Sequence, residues 1–137
     1  MKSRQLTFNE YEKSTDNTAI YAQNISKMVD KIASGHATQE QIDECKHLLC
    51  MSYVTLGLCG EAGEVANKMK KRLRGGSLSH DDRLPFALRD ELGDVGWYLA
   101  RACSEIGFPF VTVMGNNISK LEDRKERGVI EGDGDTR

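Results

Sequence analysis

Two stretches decide the fold of this chain, Gly57–Lys71 (GLCGEAGEVANKMKK) and Arg89–Ala100 (RDELGDVGWYLA). Each holds two carboxylates at spacing i, i+3, which places both on one face of a helix. These carboxylates are Glu61, Glu64, Glu91 and Asp94. They lie among small and apolar residues, where an ionised carboxylate must be paired or bind a metal ion. Two such pairs on facing helices would surround one point with four carboxylates.

The i, i+3 spacing alone carries no signal. With 21 acidic residues in 137, chance gives about three such pairs, and the sequence has four. The other two pairs are Glu40/Asp43 and Asp123/Glu126, and both lie in highly polar segments typical of a solvated helix face. Only the two pairs in apolar surroundings therefore indicate a site.

The ligand type predicts the metal. An all-oxygen set without histidine or thiolate favours Mg²⁺, with Mn²⁺ as a possible substitute, over zinc. Magnesium works together with substrate phosphates and lowers the pKa of a bound water. The pattern leaves one alternative open, in which the carboxylates only form ion pairs with Lys68 and Lys71.

The whole chain is predicted to be helical, with one domain over residues 1–137 and an all-α bundle of four to six helices. Capping boxes at Thr7/Glu10 and Thr38/Gln41 begin two of the helices. Three glycines inside one helix, Gly57, Gly60 and Gly63, predict that another helix or a ligand approaches its backbone closely. The predicted helices cover about 8–17, 19–33, 38–49 (with Ile42, Cys45, Leu48 and Leu49 facing inward), 52–74, 85–106 and 109–127.

Composition excludes several classes of protein. The net charge is −2 with both signs interleaved, so no nucleic-acid polymer is expected as a partner. The sequence has no run of about 18 apolar residues, so no membrane span is predicted. The N-terminus lacks the apolar stretch of a signal peptide. The four cysteines form no CxxC pair, and we expect them to be buried, reduced thiols of a cytoplasmic protein.

The motif Glu61-x-x-Glu64, 26 intervening residues, and Glu91-x-x-Asp94 resembles that of the MazG-like branch of the all-α nucleoside triphosphate pyrophosphohydrolases, in particular the small phage and bacterial type. The opening helix TFNEYEKSTDNTA and the closing segment NNISKLEDRKERGVIEGDGDTR are also similar to those of the family. The resemblance covers about residues 6–17 and 53–137. Residues 20–49 depart from it and are predicted to be an inserted helical segment.

The resemblance implies roles for individual residues. The four carboxylates match magnesium ligands, and Glu64, with Glu61, is expected to act on the attacking water. Tyr98 matches an aromatic residue that packs on the nucleotide, although a core tyrosine is nearly as good an interpretation. Trp97 fits the core or a subunit interface better than a base platform. The residues that match phosphate-facing positions are Lys68, Asn117, Lys120 and Arg124, and the tail 128–137 is expected either to fold over a nucleotide or to lie in solvent.

The expected activity is magnesium-dependent hydrolysis of nucleoside triphosphates, deoxy or noncanonical, to monophosphate and pyrophosphate. The resemblance also implies a homo-oligomer, a tetramer built as a dimer of dimers, that completes the bundle. A non-catalytic helical interaction protein is one alternative. A ferritin-like di-iron protein is another, but it requires two Glu-x-x-His motifs, and the chain has only Glu44-x-x-His47 in a polar segment.

Overall fold

The computed structural model describes residues 7–76 and 81–130, and within them the regular elements are all helices, with no strand. This confirms the all-α prediction. The described helices are α1 (Phe8–Thr15), α2 (Tyr21–Ala33), α3 (Gln39–Arg74), α4 (Leu84–Glu105) and α5 (Phe110–Glu126). The chain divides into two compact units, Met1–Lys46 and His47–Arg137. The single domain and the insertion at 20–49 stay predictions, and most of the predicted tail lies outside the described residues.

Both predicted capping boxes are present. The backbone N–H of Glu10 donates to the Thr7 hydroxyl at 3.3 Å, and the Glu10 carboxylate accepts from the Thr7 backbone N–H at 2.8 Å. Thr38 and Gln41 make the same reciprocal pair at 3.3 and 3.1 Å. Each box satisfies backbone donors that the first turn of a helix leaves without partners.

The prediction of two helices over 38–74 was wrong, because α3 is continuous for 36 residues. Neither glycine nor proline interrupts the segment around Cys50 and Met51, so nothing ends the helix there. The Ser52 hydroxyl donates within the helix to the Leu48 carbonyl at 2.7 Å. Leu48 and Leu49 were expected to face inward, yet they are 45% and 65% exposed.

The second unit contains most of α3 and all of α4 and α5. Pro85 lies in the first turn of α4, as predicted, and Gly107, with φ of +76°, follows the end of that helix. α4 packs against α5. The buried side chains among the described residues come from all three helices: Val54, Cys103 and Arg124.

The cysteine prediction was only partly right. All four thiols are free, but only Cys103 is buried, whereas Cys50 and Cys59 are exposed and Cys45 is half-buried. Across the described residues, none of the helices combines the length and apolar character that crossing a membrane requires.

Candidate metal and nucleotide site

Three of the four predicted ligands come together between α3 and α4. One carboxylate oxygen from each of Glu61, Glu91 and Asp94 lies within 4.8 Å of the other two. Glu61 and Glu91 are half-buried and Asp94 is exposed, so the cluster opens to solvent on one side. We call these three residues the acidic cluster.

Glu64 stands apart from the acidic cluster. It lies almost one helical turn after Glu61 on α3, its side chain is exposed, and it is not among the carboxylates that converge. It is still near enough for its negative charge to contribute to the raised pKa of Glu61. The structure therefore separates three converging carboxylates from a fourth at the rim.

Electrostatics within the acidic cluster favour a cation. Partial burial, followed by the negative charges of Asp94 and Glu91, raises the pKa of Glu61, and a hydrogen bond with Glu91 acts in the same direction. Carboxylates held this close resist simultaneous ionisation because like charges repel. A divalent ion relieves that repulsion, and the all-oxygen donor set fits a hard cation such as magnesium.

Lys68 reaches the acidic cluster from α3. Its ammonium nitrogen lies 3.0 Å from a carboxylate oxygen of Glu91, and the two side chains are 30% and 19% exposed. One lysine can offset only one of the three carboxylate charges. The ion pair therefore places one cation at the edge of the acidic cluster.

Tyr98 lies near the acidic cluster, on the side of Glu61 toward Gly57. Its ring packs so tightly on α3 that a Cβ added at Gly57 would overlap it. The ring centre of Tyr53 lies 6.2 Å away. A hydrogen bond with Tyr53 raises the pKa of Tyr98, and burial and the charges of Glu61 and Asp94 add to this effect. The close approach predicted for the glycines of α3 is thus present at Gly57.

The other glycines beside the carboxylates are not approached. At Gly60 and Gly63 on α3, and at Gly93 and Gly96 on α4, an added Cβ would meet no described heavy atom within 4 Å. Within the described chain no other helix approaches Gly60 or Gly63, so at these two positions the approach of a helix or a ligand stays a prediction.

A basic groove of about 420 Å³ adjoins the Lys68 end of the site, between the end of α3 and the start of α4. Its charged lining residues are Lys68, Lys71, Arg72, Asp81 and Arg83. Four cations and one carboxylate give the lining a net positive charge, although Lys68 already pairs with Glu91 and Arg83 with Asp81. Arg83 was missed from the sequence because the loop before α4 has no periodic pattern that would reveal its direction.

An apolar groove of about 380 Å³ lies toward the other end, between α3 and α4. Leu49, Tyr53 and Trp97 line it, together with Arg101 and Glu105. The rings of Trp97 and Tyr98 pack edge to face, with their centres 4.8 Å apart. Tyr53 was missed from the sequence because only the packing of α3 on α4 shows that it adjoins Tyr98.

The predicted phosphate-facing residues of α5 divide into two kinds. Asn117 and Lys120 are exposed, and within the described residues neither forms an ion pair or a side-chain hydrogen bond. Arg124 is 5% exposed and is already partnered. Their roles toward a nucleotide stay predictions.

Comparison with known proteins adds the family. The gene 37 protein of Mycobacterium phage L5 is 45% identical over 107 residues, which cover 77% of this chain and 92% of that protein. No solved structure matches the chain significantly. The family model of the MazG nucleotide pyrophosphohydrolase domain matches residues 51–129, a range that contains the acidic cluster, the basic groove, most of the apolar groove and all of α5. The chain therefore belongs to the MazG nucleotide pyrophosphohydrolase family.

Proposed function

We propose that this protein hydrolyses nucleoside triphosphates to monophosphate and pyrophosphate with the help of magnesium. Family membership supports nucleoside triphosphate pyrophosphohydrolase activity in general. The observation that carries the magnesium dependence is the acidic cluster, in which three carboxylate oxygens lie within 4.8 Å of one another. Manganese, with the same preference for oxygen ligands, is the expected substitute.

Glu61, Glu91 and Asp94 would hold the ion, and Glu64 would join them from the rim. Bound magnesium would offset phosphate charge and lower the pKa of a nearby water. Glu64 is the candidate general base because its side chain is exposed and it lies beside the ligands without being one of the three that converge. Lys68 would exchange its partner Glu91 for a substrate phosphate oxygen.

The order of side chains along α3 suggests how a nucleotide would bind. The apolar groove and Tyr98 come first, the carboxylates follow, and the basic groove comes last. Gly57, beneath Tyr98, and Lys68 are eleven residues apart, about 16 Å along a helix axis. The nucleoside would contact the aromatic end, the α-phosphate the carboxylates, and the departing pyrophosphate Lys68 and Lys71.

The substrate would be a deoxynucleoside or noncanonical triphosphate. The apolar groove beside Tyr98 offers a ring face and few charged groups, which suits recognition of a base by stacking. Asn117, Lys120 and Arg124 of α5 remain the candidates for further phosphate contacts. No membrane or nucleic-acid polymer is part of the proposal, and the four free thiols suit a reducing compartment such as the cytoplasm.

We also propose a homo-oligomer, a tetramer built as a dimer of dimers. Within the described residues of the second unit, large apolar side chains are widely exposed, among them Leu56 at 73%, Leu73 at 76% and Val111 at 76%. Large apolar side chains left in water favour burial against another copy. Light scattering at micromolar concentration tests the assembly, and a monomeric mass would contradict it.

Pyrophosphate release from a panel of ribo-, deoxyribo- and modified triphosphates tests the reaction. Magnesium should be required, a chelator should stop turnover, and Glu64→Gln should reduce kcat by orders of magnitude while the helical circular dichroism is kept. Glu126→Gln is the matched control, since Glu126 belongs to an i, i+3 carboxylate pair in a polar segment. Near-normal turnover of Glu64→Gln would refute the role of Glu64.

The non-catalytic interaction protein is the competing proposal, and the Lys68–Glu91 ion pair is the observation that favours it. In that case the carboxylates would serve only as ion-pair partners. A folded protein that binds magnesium but turns over no triphosphate would favour this alternative. Neither magnesium dependence nor phosphate release is expected from a di-iron protein.

A further inference from the structure

A groove of about 670 Å³ lies in the first compact unit, between α2 and the first turns of α3. We call the two helical segments that form it, Tyr21–Ala33 and residues 39–46, the hairpin. None of the hairpin lies within residues 51–129, which match the family. The lining residues are Lys27, Met28, Lys31, Ile32, Ala37, Glu40, Gln41 and Glu44.

The two sides of this groove carry opposite charges. Lys27 and Lys31, one turn apart on α2, form a basic lip, and Glu40 and Glu44, one turn apart on α3, form an acidic lip. All four side chains are exposed. In the described parts of the chain, 7–76 and 81–130, none of the four forms an ion pair within 4.0 Å.

The floor of the groove is apolar. Met28 and Ile32 are half-buried there, and Tyr21 and Ile25 continue the apolar stripe of α2 at 67% and 53% exposure. An apolar strip with a charged lip on each side is the usual design of a helix–helix interface, in which the flanking charges select the partner and its orientation.

We propose that the groove binds the hairpin of a second copy of this chain. A two-fold interface requires a surface that complements itself, and the two lips meet that requirement. Both pairs line the same groove, so they lie at the same level along the helices. A two-fold axis parallel to the helices then places the basic lip of each copy on the acidic lip of the other.

The self-complementary pattern distinguishes this occupant from others. A purely acidic or purely basic helix would repel one of the two lips, whereas a second hairpin matches both. The contact lies outside the family segment, so it adds to any assembly made through the second unit. It does not depend on the proposed reaction, because no residue of the acidic cluster takes part.

Charge reversal in the full-length protein tests the proposal. The variants are K27E/K31E, which makes both lips acidic, E40K/E44K, which makes both basic, and the fourfold variant that exchanges the lips. Each double variant should lower the mass, or raise the dissociation constant about tenfold or more, in sedimentation equilibrium. Asp43→Lys, on α3 but outside the groove lining, is the matched control and should behave as the wild type.

Complementary variants should restore the assembly that each double variant loses. An equimolar mixture of the two double variants should assemble as the wild type does, since each basic lip then meets an acidic one, and the fourfold variant should recover by itself. The proposal fails if the double variants assemble like the wild type. It also fails if assembly is lost and neither the mixture nor the fourfold variant restores it.

Discussion

Replacing Gly57 by alanine tests how closely α3 and α4 pack beside the acidic cluster. A Cβ at this position would lie 2.7 Å from Cδ1 of Tyr98 and still closer to two other atoms of the ring. Carbon atoms do not approach so closely, so the ring must turn away or α4 must move. Either response disturbs the side of the site that Tyr98 forms.

Two opposing effects set the magnitude. Forcing one extra carbon into a packed contact costs about 1–3 kcal/mol, while alanine in place of glycine within a helix stabilises by about 1 kcal/mol. We therefore expect a net loss of about 1 kcal/mol in the free energy of unfolding. Gly115→Ala in α5 is the matched control, since its Cβ would meet no described atom within 4 Å. It should gain up to about 1 kcal/mol.

Urea denaturation, followed by far-UV circular dichroism at equal protomer concentration, measures both changes. A double-mutant cycle with Tyr98→Ala isolates the overlap: in that background Gly57→Ala should stabilise, with a coupling energy of about 1–3 kcal/mol. If Gly57→Ala stabilises the protein as much as Gly115→Ala does, Tyr98 does not restrict this position. Absence of coupling between positions 57 and 98 would lead to the same conclusion.

Three further changes test the site. The folded protein raises the pKa of Glu61 above 4.5, so the stability from this group is present below that value and is lost as pH rises through the raised pKa. Magnesium competes with the proton on Glu61 and should therefore raise the melting temperature more at about pH 7 than at about pH 5. An equal rise at both pH values would contradict this competition between proton and magnesium. Lys71→Gln should raise KM about tenfold through loss of a charge-assisted contact, whereas Lys70→Gln, outside the basic groove, should leave KM unchanged. Tyr53→Phe removes the hydrogen bond that is the largest cause of the raised pKa of Tyr98, so a spectrophotometric titration should show a lower value, and an unchanged pKa would exclude that bond.

The local features of the fold follow from the sequence because they depend on neighbouring residues. The capping boxes at Thr7 and Thr38 and the turn at Pro85 each involve interactions within one turn of the chain. The acidic cluster was predictable for a related reason. Helical periodicity puts Glu91 and Asp94 on one face, and their apolar surroundings mark that face as one that packs near another helix.

The features that were missed depend on contacts between helices. The sequence does not show whether the residues that pack on Leu48 and Leu49 belong to the same chain. Both leucines were predicted to lie in the core of this chain, but the described chain leaves them exposed. The rim position of Glu64 depends on how α4 crosses α3, which no i, i+3 rule gives. Arg124, which the resemblance matches to a phosphate-facing position, is 5% exposed on α5 and therefore buried.

The open glycines connect the site to assembly. Each glycine inside a helix destabilises it by about 1 kcal/mol relative to alanine. At Gly57 the missing side chain leaves room for the ring of Tyr98 to pack on α3. Gly63 and Gly96 have no such neighbour among the described atoms, although they flank Glu64 and Trp97 in sequence. Both positions are therefore open to a nucleotide or to a second copy. Alanine at these positions separates the two: obstruction of a nucleotide raises KM at constant mass, whereas obstruction of a second copy lowers the mass whether or not nucleotide is present.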